Sequence, residues 1–127
     1  MIRRPGRRRS LQVLLAAYWI ALLVLTHWPR LPTYAAPPMT DKLVHFVVFA
    51  VLAALALAAT SQTATPGRHA TLRWGLILLG YATIDELLQP LTGRSCSLGD
   101  WLANVAGLAV VLGWFALRPA SHPDRAG

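Results

Sequence analysis

This chain is poor in charge and poorer still in acid. Only 13% of its 127 residues are charged, with five Asp or Glu against twelve Lys or Arg. The 55% hydrophobic content and mean hydropathy of +0.47 are more apolar than a soluble domain of this size needs. The single cysteine, Cys96, excludes an intrachain disulfide and is read as a small loop residue. Ser95 and Ser97 stand in no nucleophile motif, and no internal repeat or low-complexity segment is present. One domain is the most that 127 residues imply.

What is there is apolar chain in four long segments, about 11–28, 42–60, 72–91 and 98–117. Each is long enough to cross a bilayer core. Breakers separate them: Pro29, Pro32, Pro37 and Pro38, then Ser61 to Gly67, then Pro90 and Gly93. The expected fold is all-α, an integral membrane four-helix bundle spanning 11–117. A basic N-terminus (1–10) and a polar tail (118–127) flank it. The first segment follows Arg3, Arg4, Arg7, Arg8 and Arg9, as a secretory signal also would, but its 18 residues and its Trp19 and Trp28 favour a retained helix.

The net charge of +7 invites a nucleic-acid partner, yet five arginines crowd the first segment's flank, which is the pattern of a cytoplasmic membrane anchor. No nucleic-acid partner is expected, and membrane lipid is. Alternate connections carry nine basic residues on the side of the N-terminus (Arg3, Arg4, Arg7, Arg8, Arg9, Arg68, Arg73, Arg118, Arg125) and three opposite (Arg30, Lys42, Arg94). That bias places both termini in the cytoplasm.

In this frame the remaining ionisable groups gather at the outer face. Asp41, Lys42 and His45 open the second segment, Asp85, Glu86 and Gln89 close the third, and Arg94, Asp100 and Asn104 lead into the fourth. Charges at membrane depth are costly and are kept where they pair or function. Four-residue spacing puts Asp41, His45 and Phe49 on one stripe, and Asp100, Asn104 and Gly107 on another. Asp100, with Ser97, and Asp41 also suit the positive start of a helix as caps of its free N–H groups. Glu86 sits near a helix C-terminus, the wrong end for an acid, and so stands out. His45, Glu86 and Asp100 are a donor set that a divalent cation could use, but no metal motif accompanies them and neither metal nor cofactor is expected. Arg94, following the turn at Pro90 and Gly93, is expected to reach Glu86, Asp100 or both. His27, His69 and His122 fall in connections and are read as solvated. The five Trp residues are read as interfacial belt and packing groups.

The motif Asp41-Lys42-Leu43-Val44-His45-Phe46 resembles the opening of VanZ-like membrane proteins. Asp85-Glu86-Leu87-Leu88-Gln89, Thr92-Gly93-Arg94, Ser97-Leu98-Gly99-Asp100 and Asn104-Val105-Ala106-Gly107 resemble the rest of that family's pattern. Such proteins carry an aromatic hydroxyl four residues after the histidine, where this chain has Phe49. The resemblance implies a small multi-pass protein of the bacterial cytoplasmic (inner) membrane and a context of resistance to the glycopeptide teicoplanin. It matches Asp41, Lys42, His45, Glu86, Gln89, Arg94, Asp100, Asn104 and Gly107.

Two functions from different classes compete on these residues. One is a non-enzymatic envelope protein binding a polar or phosphate-bearing lipid, or a peptidoglycan-related precursor, through Lys42 and Arg94, with Asp41, His45, Glu86, Gln89, Asp100 and Asn104 around them. The other is a membrane enzyme acting on a lipid-linked or peptide substrate with Glu86 or His45 as general base. A transporter fits less well, because almost no polar residue reaches the cytoplasmic half and no repeat is seen.

Overall fold

The computed structural model describes residues 5–29, 38–61 and 65–118. It is all-helical: α1 is Pro5–His27, α2 Pro38–Thr60, α3 Arg68–Leu88 and α4 Leu98–Ala116, and no strand occurs among the described residues. The helices start and stop where their chemistry directs. Pro5 and Pro38 occupy first helical positions, where a missing N–H costs nothing. Asp41 therefore lies in the first turn of α2 rather than at its cap, still close to the positive dipole end. At the close of α3, Pro90 removes a donor, and the chain tightens into a single 3-10 turn over Gln89–Thr92. Gly93 then adopts φ 78°, the left-handed conformation that a side chain would oppose. The Gly93 N–H donates to the Pro90 carbonyl and the Arg94 N–H to that of Gln89, each at 3.2 Å.

Side-chain pairings give the direction of each helix. Tyr18 donates to the Val48 carbonyl, while Leu25 and Val44 share a groove wall, so α1 and α2 run antiparallel. Lys42 meets Asp100 and His45 meets Asn104, so α2 and α4 run parallel. Trp101 reaches back to Thr83, so α3 and α4 are antiparallel. The result is an up-down-up-down bundle that brings the ends of α1 and α3 together with the starts of α2 and α4.

Helix α2 is central and packs most closely on α4. Gly107 makes that approach possible: a Cβ there would run into the Phe46 carbonyl oxygen and lie 3.1 Å from the Ala50 nitrogen. Phe49, Leu52, Ala53, Ala56, Leu78, Ala82 and Leu108 fill the core, with Leu15 and Leu22 of α1 packed on it. Outside, the bundle is coated with exposed apolar side chains, among them Ile20, Leu43, Leu76, Ile84, Leu102 and Val110. A coat this extensive on a small protein suits a hydrocarbon solvent rather than water.

Two boundaries differ from the sequence reading. Helix α1 begins at Pro5, so Arg7, Arg8 and Arg9 belong to its first turns instead of a separate tail. Four spans were expected, whereas three helices, α1, α2 and α4, are long and apolar enough to cross a membrane. Helix α3 has the length, 21 residues, but carries Arg68 and Arg73 near its start and Asp85 and Glu86 near its end. The tryptophans divide as well. Trp28 and Trp114 are exposed, whereas Trp74 donates to Thr60 Oγ1 (2.7 Å) and Trp101 to Thr83 Oγ1 (3.1 Å), tying helices together.

Candidate ligand site at one end of the bundle

The converging helix ends bury an unusual amount of polarity. Asp85, Glu86, Gln89, Asp100, Asn104 and His45 are all buried beside the hydrophobic core. Such groups are tolerable only if partnered, and their partners sort them into three sets.

The first set secures α4 to α3. Ser97 caps α4, its Oγ accepting the Asp100 N–H at 3.3 Å. In a capping box the acid of the same helix would return the favour by accepting the Ser97 N–H. Here Glu86 does so from α3: its Oε1 accepts the Ser97 N–H at 2.6 Å, and its Oε2 accepts from Gln89 Nε2 at 3.1 Å. Glu86 thus has a structural employment at the wrong end of its own helix, because it serves the positive start of another. The Asp100 carboxylate is released from capping.

The second set joins α1 to α3. Asp85 Oδ1 accepts from Thr26 Oγ1 (2.8 Å) and from the Tyr81 hydroxyl (3.3 Å), with His27 Nδ1 at 3.7 Å. His27, expected in a solvated connection, is instead half-buried against this carboxylate, its Nδ1 also 2.9 Å from the Leu23 carbonyl. Thr26, His27 and Tyr81 were missed as site residues. The only signal in the sequence was a Thr-His pair closing the first apolar run, which no local pattern distinguishes from a loop start. Phe49, which lacks a hydroxyl, stacks on Tyr81 at 5.8 Å, so the aromatic hydroxyl beside the cluster comes from α3.

The third set faces outward between α2 and α4. His45 Nδ1 lies 3.0 Å from Asn104 Oδ1, and its Nε2 lies 3.9 Å from Asp41 Oδ1. With Nδ1 donating to Asn104 Oδ1, Nε2 is the ring nitrogen left facing Asp41. Lys42 Nζ stands 3.6 Å from Asp100 Oδ1. The Lys42 side chain passes over Gly99, where an added Cβ would come within 2.8 Å of Lys42 Cε.

Arg94 joins neither acid. Among the described residues it makes no ion pair with Glu86 or Asp100, and its buried Nε has no hydrogen-bond partner. The turn at Gly93 directs it instead to a groove of about 390 Å³ between α1 and α2. Tyr18, Leu22, Leu25, Val44, Val48 and Phe49 make apolar walls; Thr26, Asp41, His45 and Arg94 supply polarity. A volume of this order, mostly apolar with a few convergent polar groups, is typical of small-molecule sites. Of the eight residues expected in the site, Asp41, His45 and Arg94 line the groove. Asn104 and Asp100 adjoin it through His45 and Asp41, with Lys42 on Asp100, while Glu86 and Gln89 bond one another and do not line it.

The sequence model of the VanZ/LLP1 family matches residues 5–118, nearly the whole chain, and the protein belongs to that family. No curated protein and no solved structure matches it.

Proposed function

We propose that this VanZ/LLP1 family member is a non-enzymatic, multi-pass protein of the bacterial inner membrane that holds a phosphate-bearing envelope lipid or precursor at the outer leaflet. The observation that carries the reading is the groove between α1 and α2, apolar along its walls and supplied with Arg94, whose Nε is buried without a partner. A guanidinium with an unpartnered Nε beside an apolar trough matches an amphiphile: acyl chain along Leu22, Leu25, Val44 and Val48, anion against Arg94. Both termini lie in the cytoplasm on this reading, in keeping with the nine-to-three bias of basic residues counted above. Sequestering such a precursor is also the route by which the protein would influence resistance to a glycopeptide.

The enzyme reading retains one residue. His45 lines the groove, whereas both oxygens of the other candidate base, Glu86, already accept hydrogen bonds. Native mass spectrometry of the purified protein with phosphatidylglycerol or an undecaprenyl phosphate tests the binding reading. Wild type should retain the anionic lipid and Arg94→Ala should lose most of it. Equal retention by the two overturns the proposal, and turnover abolished by His45→Gln would favour the enzyme.

A further inference from the structure

We propose that Asp41, His45 and Asp100 form a binding site for a divalent transition-metal cation at the mouth of the groove. One ligand atom from each of these residues lies within 4.8 Å of the other two. An imidazole and two carboxylates are a donor set suited to zinc and its neighbours, whose bonds of about 2.0–2.2 Å place ligand atoms about 3.4 Å apart. The contraction required is small for a carboxylate in the first turn of α2 and another in the first turn of α4.

Three features beyond proximity support the assignment. The first is the orientation of His45. Its Nδ1 lies 3.0 Å from Asn104 Oδ1, which turns Nε2 toward Asp41. Outer partners of this kind regularly fix the tautomer of a metal-binding imidazole. The second is Asp100 itself, 94% buried by its 6% relative exposure, with an Oδ1 that accepts no hydrogen bond. Glu86 takes the Ser97 N–H that Asp100 would otherwise accept, so this carboxylate is left for another use. The third is Lys42, whose ammonium is near Asp100 at 3.6 Å but whose side chain is 43% exposed. A cation that reaches solvent is a counter-ion that a divalent cation can displace.

The set differs from the His45, Glu86 and Asp100 combination that the sequence offered, because the Glu86 oxygens are already bonded. Three protein ligands leave coordination positions open. Asp41 and His45 line the groove, so an open position there would meet whatever lies in it. The site stands independently of the lipid reading, and its test involves no lipid.

The experiment is a calorimetric titration of zinc into the full-length, tag-free, chelator-treated protein in detergent, with absorption spectra of the cobalt-substituted form. One ion per chain is expected, with a cobalt spectrum lacking thiolate charge transfer. Asp41→Asn and His45→Gln should each weaken binding by tenfold or more, and Asn104→Ala by about tenfold through the outer partner. Lys42→Gln should tighten it. Melting curves without zinc identify variants that fail to fold; Asp41→Asn, at the more exposed ligand, keeps the test decisive if His45→Gln does not fold. Absence of stoichiometric binding, a thiolate signature from Cys96, or wild-type affinity in folded Asp41→Asn or His45→Gln would overturn the proposal.

Discussion

Removing the Glu86 carboxylate strands two donors at once, and the size of the loss follows from their burial. Gln89 is 1% exposed, so its amide has no water to turn to when Glu86→Ala takes away the acceptor 3.1 Å distant. An orphaned buried donor costs about 1–3 kcal/mol, and bonds to a charged acceptor sit at the upper end of that range. The Ser97 N–H, bonded at 2.6 Å and only partly buried, recovers some hydration and adds about 1–2 kcal/mol. The expected total for Glu86→Ala is about 3–5 kcal/mol. Glu86→Gln keeps an oxygen for Ser97, and Gln89 can turn its own amide to accept from the new one. Only charge assistance is lost, about 1 kcal/mol. Unfolding titrations in mixed micelles, followed by tryptophan fluorescence, measure both. Because Arg94 shares no partner with Glu86, the Glu86→Gln and Arg94→Gln losses should add within about 0.5 kcal/mol. Equal losses for Glu86→Ala and Glu86→Gln, or an Ala variant within 0.5 kcal/mol of wild type, would show that Glu86 does not tie α3 to the start of α4.

At the α2–α4 contact, Gly107→Ala should lower stability by about 1–3 kcal/mol, since the new methyl meets the Phe46 backbone rather than a movable side chain; an unchanged melting temperature would mean that the helices sit farther apart. Cys96 is exposed, so a membrane-impermeant thiol reagent should label it in intact spheroplasts if the site faces outward. Labelling only after permeabilisation would reverse the orientation.

The sequence by itself determined the helical class and the polar residues that α2, α3 and α4 bring to one end, though not Thr26, His27 or Tyr81. Apolar length set by proline and glycine breakers is a local property, and an alternating bundle must bring residues 41–45, 85–89 and 94–104 to one end. It also singled out Glu86 as misplaced for its own helix, expecting more of it than capping, whereas its partner is the free N–H of Ser97 at the start of another helix, which no spacing within α3 discloses. Only the tertiary structure decided who pairs with whom. Arg94 is eight residues from Glu86 and six from Asp100 in the chain, yet the left-handed Gly93 directs it to the α1–α2 groove. Asp85 finds Thr26 and His27 some sixty positions away, a pairing set by how α1 lies on α3. The boundary of the membrane-like surface was settled in the same way. Composition counted α3 with the others, but its ends carry charge, and the acids at one end are buried because neighbouring helices supply the donors that the bilayer lacks. Helical periodicity places a polar group on a face; what that face meets depends on the contacts made after the helices have packed.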